Sequence, residues 1–142
     1  EDEDHKIGNV MSSQKRRREK IEKVLHRILV ESDSGTVVIV EGRKDRETLR
    51  KLGLTGPILS FKNSRRGLND FLSQISAKKV IVLTDFDKEG TDLSARMARE
   101  LAQLRIGTDD AVRRQLGVLV KQDIKTIEGL FNLVEKMRRE EE

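Results

Sequence analysis

Residues 79–90 read KVIVLTDFDKEG and carry the strongest fold signal of the sequence. Its apolar part, residues 80–83, has the length and the β-branched character of a strand buried on both faces, as in a parallel sheet. Three acids follow at alternate positions, Asp85, Asp87 and Glu89. Ligands of open α/β sheets bind beyond the carboxyl ends of the strands. The stretch therefore predicts a parallel sheet whose functional edge carries these acids.

A second strand, predicted at residues 36–40, also ends in an acid, Glu41. If the two strands are neighbours, their ends lie about 4.8 Å apart, and Glu41 faces Asp85 and Asp87 across one crevice. Acids this close need a metal ion, protons or nearby cations to balance their charge. Hard carboxylate oxygens favour Mg²⁺, so we expect Asp85, Asp87 and Glu89 to hold Mg²⁺ or Mn²⁺ beside Glu41.

Glycines and cations are expected around the same crevice. Glycine lets the main chain turn closely around a ligand, and cations hold phosphate groups. The predicted turn glycines are Gly42 and Gly90. The predicted phosphate-binding cations are Arg43, Lys44 and Lys88 beside the acids, Lys62, Arg65 and Arg66 in a polar loop, and Arg16, Arg17 and Arg18 near the start of the chain. For the loop and the N-terminal cluster, a solvated surface is the competing interpretation.

Strands alternate with helices along the chain, which predicts an α/β fold with about four mainly parallel strands flanked by helices. The predicted strands are residues 36–40, 58–61, 79–83 and 118–120, the last of them after a short helix that ends at Leu116. Extra amphipathic helices are predicted at about residues 14–30 and 126–139 from the spacing of their apolar residues. Residues 1–11 are predicted to be a disordered tail, or a leader added before a start at Met11. Residues 12–142 then form one domain.

Composition excludes several classes of site. The 142 residues include no cysteine, which removes disulfides, catalytic thiolates and cysteine-bound metals, and they include no tyrosine or tryptophan. The two histidines, His5 and His26, are too widely spaced to predict a histidine metal site. No apolar run approaches the roughly 20 residues of a membrane span, so we expect a cytoplasmic location without membrane association. The net charge of +4 favours polyanionic partners only mildly.

The two acid motifs resemble those of the toprim domain, which topoisomerases, bacterial-type primases and certain nucleases share. They read VVIVEGRKD at residues 37–45 and VIVLTDFDKEG at residues 80–90. The resemblance covers about residues 35–125 and implies a Rossmann-like toprim fold. It also implies that Glu41 acts as a general acid or base and that Asp85 and Asp87 bind Mg²⁺.

Absences narrow the choice within this resemblance. A topoisomerase needs a tyrosine nucleophile, and a bacterial-type primase adds a cysteine-based zinc module; the sequence has neither residue. Glu89 matches a third acid of type IA topoisomerases, but the chain as a whole is similar to the toprim domain of the ribonuclease that matures 5S ribosomal RNA, and to short archaeal toprim proteins. The resemblance implies a metal-dependent endonuclease that hydrolyses phosphodiesters, with RNA favoured over DNA, and it leaves protein partners in RNA processing open.

Two other functions compete with cleavage. A toprim fold without turnover would bind nucleic acid or act as an adaptor in an RNA-processing assembly. Residues 83–91 also look loosely like the Asp-x-Asp-Gly-Thr motif of haloacid-dehalogenase phosphatases, although Lys88 and Glu89 interrupt that spacing. Taken by itself, Asp85 is also compatible with a helix cap. Asp45 is better explained by a cap or an ion pair than by metal binding.

Overall fold

The computed structural model describes residues 2–141, and the side chains of residues 13–141. In this part of the chain four strands, all parallel, form one sheet, which confirms the predicted α/β architecture. The strands are β1 (Val37–Val40), β2 (Ile58–Ser60), β3 (Lys79–Leu83) and β4 (Gly107–Asp109). The helices are α1 (Asp2–Asp33), α2 (Arg43–Lys51), α3 (Leu68–Ser73), α4 (Lys88–Gln103), α5 (Ala111–Val120) and α6 (Leu130–Glu141). Short 3₁₀ turns occur at Lys62–Ser64 and Ile127–Gly129.

The strands lie in the spatial order β2-β1-β3-β4. The chain leaves β1 through α2 to reach β2 on one side, and then passes through α3 to reach β3 on the other side of β1. The connections therefore diverge between the carboxyl ends of β1 and β3, where open α/β sheets bind ligands. The register pairs Val40 with Leu83, so the residues that follow these two strands emerge side by side.

Side chains alternate across the two central strands because helices cover both faces of the sheet. Val38, Val40, Ile81 and Leu83 pack with α1, α2, α5 and α6, whereas Ile39, Val80 and Val82 pack with α3 and α4. All seven side chains are fully buried. Burying an apolar side chain of this size contributes about 1.5–3 kcal/mol, so β1 and β3 give the acids that follow them a rigid base.

The fourth strand differs from the prediction. Residues 118–120 lie in the last turn of α5, and the strand is instead Gly107–Asp109, which pairs with β3 at the edge of the sheet. Val112, Leu116 and Val120 are four residues apart and buried along one side of α5. Helical packing thus overrides the β propensity of the valines, and the helix continues past Leu116. The Gly-Thr-Asp strand has no apolar run by which it could be recognised.

The first helix is longer than predicted. α1 begins at Asp2, so residues 2–11 are helical rather than the predicted disordered tail, and the helix extends well beyond residues 14–30. These residues include acids at the start of the helix, where negative charge interacts favourably with the helix macrodipole. They also contain no proline, which would interrupt a helix. A helix also extends readily from a segment that is already packed, because only nucleation is costly. Residue 1 lies outside the described residues.

The C-terminal helix lies close to its predicted position. The segment predicted as a helix over residues 126–139 begins with the 3₁₀ turn Ile127–Gly129 and continues as α6. Leu130, Leu133, Val134 and Met137 form its buried face. Within residues 2–141, no helix combines the length and the apolar character needed to cross a membrane.

Candidate metal-binding and nucleic-acid site

The predicted crevice forms at the carboxyl ends of β1 and β3. Glu41 is the first residue after β1 and is buried, and its Oε2 accepts a hydrogen bond from the main-chain N–H of Asp85 at 2.7 Å. The carboxylate of the first acid motif is thereby joined to the main chain of the second. The other oxygen of Glu41, Oε1, lies 3.4 Å from Lys62 Nζ. The structure therefore brings Glu41, Asp85 and Lys62 together at this edge.

Asp85 lies half-buried at the centre of the edge, and its Oδ1 accepts a hydrogen bond from the main-chain N–H of Ile127 at 3.0 Å. Burial, together with the negative charges of Glu41, Asp45 and Asp87, raises the pKa of Asp85 to about 6, whereas the bond from Ile127 opposes the shift. Burial and the neighbouring acids therefore disfavour the charged form of Asp85. A bound cation would favour that form.

Asp87 and Glu89 are held differently. Asp87 caps α4, because its Oδ1 accepts a hydrogen bond from the main-chain N–H of Gly90 at 2.7 Å, and the rest of its side chain is exposed. Glu89 lies in the first turn of α4 and is also exposed, and no hydrogen bond or ion pair to another described side chain fixes it. Asp85 and Asp87 are therefore the better fixed pair of candidate ligands.

The two turn glycines meet different requirements. A Cβ on Gly90 would lie 2.0 Å from the main-chain oxygen of Asp85, so α4 can pack on the acid loop only with glycine here. Gly42 has an ordinary extended φ of −135°, and a Cβ there would meet only Asp45 Oδ2 at 3.7 Å. Gly42 lines the crevice. Its missing side chain leaves room for a ligand rather than relieving a clash within the protein.

A further buried acid lies beside the crevice. Asp45 is buried at the start of α2, and its Oδ2 accepts a hydrogen bond from the main-chain N–H of Gly42 at 3.0 Å. Burial raises its pKa, and the charge of Glu41 adds to the shift, while the bond from Gly42 opposes it. Asp45 thus supports the start of α2 and adds to the negative charge of the site.

The crevice has a volume of about 540 Å³ and combines acids with cations. Arg43 and Lys44, from the first turn of α2, line it together with Lys62 from the 3₁₀ turn. The remaining predicted cations of this edge, Arg65, Arg66 and Lys88, are exposed and lie outside its lining. The cations near the acids therefore form an inner group within the crevice and an outer group beyond it.

The N-terminal cations contact other parts of the fold. Arg17 pairs with Asp123 at 2.7 Å and donates to the main-chain oxygen of Leu119 at 3.0 Å. Arg18 lies between Glu22 and Glu141, each at 2.6 Å. Arg16 is exposed and donates to Ser13. Arg17 and Arg18 thus fasten α1 to the neighbouring segments, away from the crevice lining.

Arg113 is a site residue that sequence reasoning missed. It is only 6% exposed, and its Nε donates to the main-chain oxygen of Thr84 at 3.0 Å. Its Nη2 donates to the main-chain oxygen of Asp85 at 2.6 Å and to Thr91 Oγ1 at 2.9 Å. Burial lowers its pKa, and the surrounding acids oppose that shift. The available signal was an arginine directly after Val112 on the buried side of α5, which is informative only once α5 is recognised as one helix.

The donor chemistry of the edge fits a divalent metal ion. Glu41, Asp85 and Asp87 each have one oxygen fixed by a main-chain N–H, and oxygen donors of this kind suit Mg²⁺. Among the side chains of residues 13–141, however, no three acidic or histidine groups are close enough together to hold an ion as they stand. The edge therefore fits an ion held by one or two of these carboxylates, with water and substrate oxygens completing its coordination.

Several short archaeal proteins are similar to this chain. It is 37% identical to a UPF0292 protein of Pyrococcus furiosus over 124 residues, 84% of this chain and 88% of that protein. It is 33% identical to a UPF0292 protein of Methanocaldococcus jannaschii over 119 residues, 83% of this chain and 92% of that protein. A UPF0292 protein of Methanosarcina acetivorans is 29% identical over 125 residues, 87% of this chain and 86% of that protein. The name UPF0292 states no function.

The family model described as the Toprim domain matches residues 36–114, which contain both acid motifs. A solved structure of a protein from Aquifex aeolicus superimposes with a TM-score of 0.63 at 23% identity, covering 75% of this chain and 94% of that protein. At this identity the superposition supports the fold alone. The predicted resemblance is confirmed, and the haloacid-dehalogenase interpretation of the Asp-x-Asp motif is set aside.

Proposed function

This chain belongs to the toprim domain family, and we propose that it hydrolyses phosphodiester bonds of RNA with Mg²⁺ or Mn²⁺. Family membership indicates metal-dependent chemistry on nucleic acid, or binding of nucleic acid. The observation that carries the finer proposal is the 2.7 Å hydrogen bond between Glu41 and the main chain of Asp85. This bond supports the proposal because it joins Glu41, the candidate proton carrier, to the main chain of a candidate metal ligand where the connections of the sheet diverge.

Asp85 and Asp87 would hold the metal ion, with Glu89 free to approach it from the first turn of α4. A metal ion held there would supply Lewis-acid activation of the scissile phosphate and of the attacking water. The protein's own contribution is orientation. The main-chain N–H groups of Ile127 and Gly90 fix the two carboxylates, and Arg113 fixes the main chain between them.

Glu41 would transfer the proton. Its Oε2 is fixed by the second motif, while among the described side chains its Oε1 is paired only with Lys62, which is 64% exposed. A carboxylate in a fixed position can take a proton from the attacking water or return one to the leaving oxygen. Lysine is a flexible point charge, so Lys62 can move to a phosphate oxygen and leave Oε1 available. Arrival of the substrate would thus release the proton carrier.

The cations fit a substrate longer than a single phosphate. Arg43 and Lys44 line the crevice, and Arg65, Arg66 and Lys88 lie exposed beyond it. An inner and an outer group of cations can neutralise the reacting phosphate and its neighbours along one strand. We propose RNA rather than DNA on the resemblance to the toprim ribonuclease, and the experiment below compares the two.

Cleavage of end-labelled RNA and DNA oligonucleotides with Mg²⁺ or Mn²⁺ tests the proposal. We expect the wild type to cleave RNA, and Glu41→Gln and Asp85→Asn each to slow cleavage about 100-fold or more. Glu19→Gln, which removes an exposed acid of α1, is the matched control and should leave the rate unchanged. Equal cleavage by the wild type and by both edge variants would contradict the proposal.

Binding without cleavage is the second candidate function. It is favoured because, among the described residues, no three acidic or histidine groups are close enough together to hold an ion. This function predicts no cleavage with either ion, and RNA affinity that is unchanged in Asp85→Asn. Fluorescence anisotropy with a labelled RNA, in EDTA and in Mg²⁺, separates it from hydrolysis. Cleavage by the wild type excludes it.

A further inference from the structure

An apolar groove lies between α1 and α5, outside the acid edge. It has a volume of about 410 Å³, and Val24, Val118 and Leu119 line it together with Lys20, Lys23 and Arg27 of α1. We call it the α1–α5 groove. Val118 is 71% exposed, so the groove presents a large apolar side chain to solvent. Exposed apolar surface beside polar residues is typical of a binding site for another macromolecule.

The groove continues along α1. Beyond Arg27 lies a second cavity of about 300 Å³, which is lined in part by Val30, 54% exposed. Three large apolar side chains are exposed in the described part of the chain, and two of them, Val30 and Val118, lie on this surface. From Lys20 to Val30 the surface follows eleven residues of α1, which span about 15 Å. That length matches about three turns of a second helix.

The cations of the groove have no ionic partner within the described side chains. Lys20 and Lys23 approach no carboxylate within 4.0 Å, whereas Arg17 and Arg18 on the same helix are paired. Arg27 donates to Gln115, a neutral group across the groove. The positive charge of this rim is therefore available to a partner.

The acids at the far end are already used within the fold. Glu31 accepts hydrogen bonds from Thr36 and Lys79, and Asp109 accepts one from the main-chain N–H of Ala111. The side of the groove nearer Lys20 is thus positive, and its far end carries carboxylates that already have partners. An occupant needs acids mainly where it faces Lys20, Lys23 and Arg27.

We propose that the α1–α5 groove binds an amphipathic helix of a protein partner, with an apolar stripe flanked by acidic residues. The stripe would cover Val24, Val118 and Val30, and the acids would pair with the free cations of α1. This interaction goes beyond the proposed cleavage and uses none of the residues assigned to it. It gives the domain a separate surface for recruitment.

Two other occupants fit the surface less well. A nucleic acid would pair with the cations but would leave the valine floor against a hydrated polyanion, and the groove has no aromatic side chain on which a base could stack. A second copy joined through the same face would bring Lys20, Lys23 and Arg27 of both copies together. Like charges facing one another disfavour that dimer.

Synthetic peptides of about 14 residues test the proposal with the whole chain. One peptide carries leucines along one helical face and glutamates on both flanks, and its control carries lysines in place of the glutamates. We expect the acidic peptide to bind at least about 10-fold more tightly than the control, and Val118→Glu to weaken its binding about 10-fold. Lys20→Ala/Lys23→Ala should weaken it similarly and reduce its salt dependence.

Matched variants separate the groove from general effects. Leu104→Glu introduces the same charge at an exposed apolar residue outside the groove and should leave binding unchanged. Val30→Glu probes the far end independently, and circular dichroism confirms that each variant is folded. Equal binding of both peptides, or binding that survives Val118→Glu and Val30→Glu, would overturn the proposal. It is also overturned if RNA displaces the acidic peptide from the groove, or if Val118→Glu dissociates a dimer in sedimentation.

Discussion

The acids and the cations of the candidate site are held in opposite ways. Glu41, Asp85 and Asp87 each accept a main-chain hydrogen bond, at 2.7, 3.0 and 2.7 Å. The cations predicted to bind phosphate near them, by contrast, are all exposed: Arg43, Lys44, Lys62, Arg65, Arg66 and Lys88. The fold thus fixes the groups proposed to bind metal before any ligand arrives. The groups proposed to bind a polyanion keep their side-chain freedom.

This difference separates the expected effects of substitution. The fixed acids depend on close packing around them, notably at Gly90 and Arg113. Changes to that support should lower stability as well as chemistry. Changes to the exposed cations should lower affinity alone, because a surface charge contributes little to folding.

Gly90→Ala should have the largest effect, because it disturbs the packing that fixes the acids. The new Cβ would meet the main-chain oxygen of Asp85 at 2.0 Å, and overpacking against main chain costs about 3 kcal/mol of unfolding free energy. Gly42→Ala, where the nearest atom is 3.7 Å away, is the control and should cost less than about 0.5 kcal/mol. Urea unfolding of both variants measures the difference. Equal stabilities would mean that α4 does not need its close approach to the acid loop.

Arg113→Met should also lower the stability of the protein, because it removes hydrogen bonds to the main chain that carries the acids. It leaves the main-chain oxygens of Thr84 and Asp85 without their donor, which should cost about 2 kcal/mol. Arg114→Met, at a side chain that is 66% exposed, should cost almost nothing. Arg113→Lys keeps the charge but not the planar fork, so it should fall between the two. A stability of Arg113→Met equal to that of the wild type would contradict a supporting role for Arg113.

Arg65→Ala/Arg66→Ala tests the role of the exposed cations. This prediction rests on the proposed function. We expect an RNA dissociation constant about 10-fold higher and a salt dependence reduced by about 1.4 ion equivalents. The melting temperature should not change, since both side chains are exposed. Arg99→Ala, on the exposed side of α4 about 16 Å beyond Lys88, is the control. A similar loss in Arg99→Ala would point to charge in general rather than to this loop.

Asp85→Asn should stabilise the metal-free protein, with the smallest effect of the four. The pKa of Asp85 is about 6 in the folded protein, above the ordinary value of 3.8, so ionising it opposes folding. The resulting loss of stability grows as pH rises from about 4 to about 6. Asparagine removes the charge and still accepts the bond from Ile127. We expect a gain of about 1 kcal/mol near pH 8, reduced by solvent screening, and none near pH 3. A lower melting temperature for the variant near pH 8, without metal, would contradict the charge argument.

The central part of the fold could be predicted from the sequence because its signals are local. Two buried strands, each followed by an acid, give β1, β3 and the crevice between Glu41 and Asp85. The edge strand Gly107–Asp109 carries no such pattern, and the valines of residues 118–120 favoured a strand that helical packing overrides. Local propensity determines the secondary structure of a segment only where tertiary packing does not override it.

Three arginines, Arg113, Arg17 and Arg18, show the same limit of local sequence patterns. Arg113 donates hydrogen bonds to main-chain oxygens 28 and 29 positions earlier in the chain, so no local spacing predicts these contacts. Arg17 and Arg18 look like a phosphate-binding cluster in sequence, but in the fold they pair with distant acids, Asp123 and Glu141. A charge run shows where cations are, whereas tertiary packing decides which of them remain available.

Binding of Mn²⁺, followed by electron paramagnetic resonance, shows whether the acid edge between β1 and β3 holds a metal ion. We predict that the wild type binds the ion and that Asp85→Asn/Asp87→Asn weakens binding about 20-fold or more. Glu89→Gln should weaken it less than about 3-fold, since Glu89 is not fixed by the fold. If the double variant binds Mn²⁺ as tightly as the wild type, the acid edge between β1 and β3 is not a metal site.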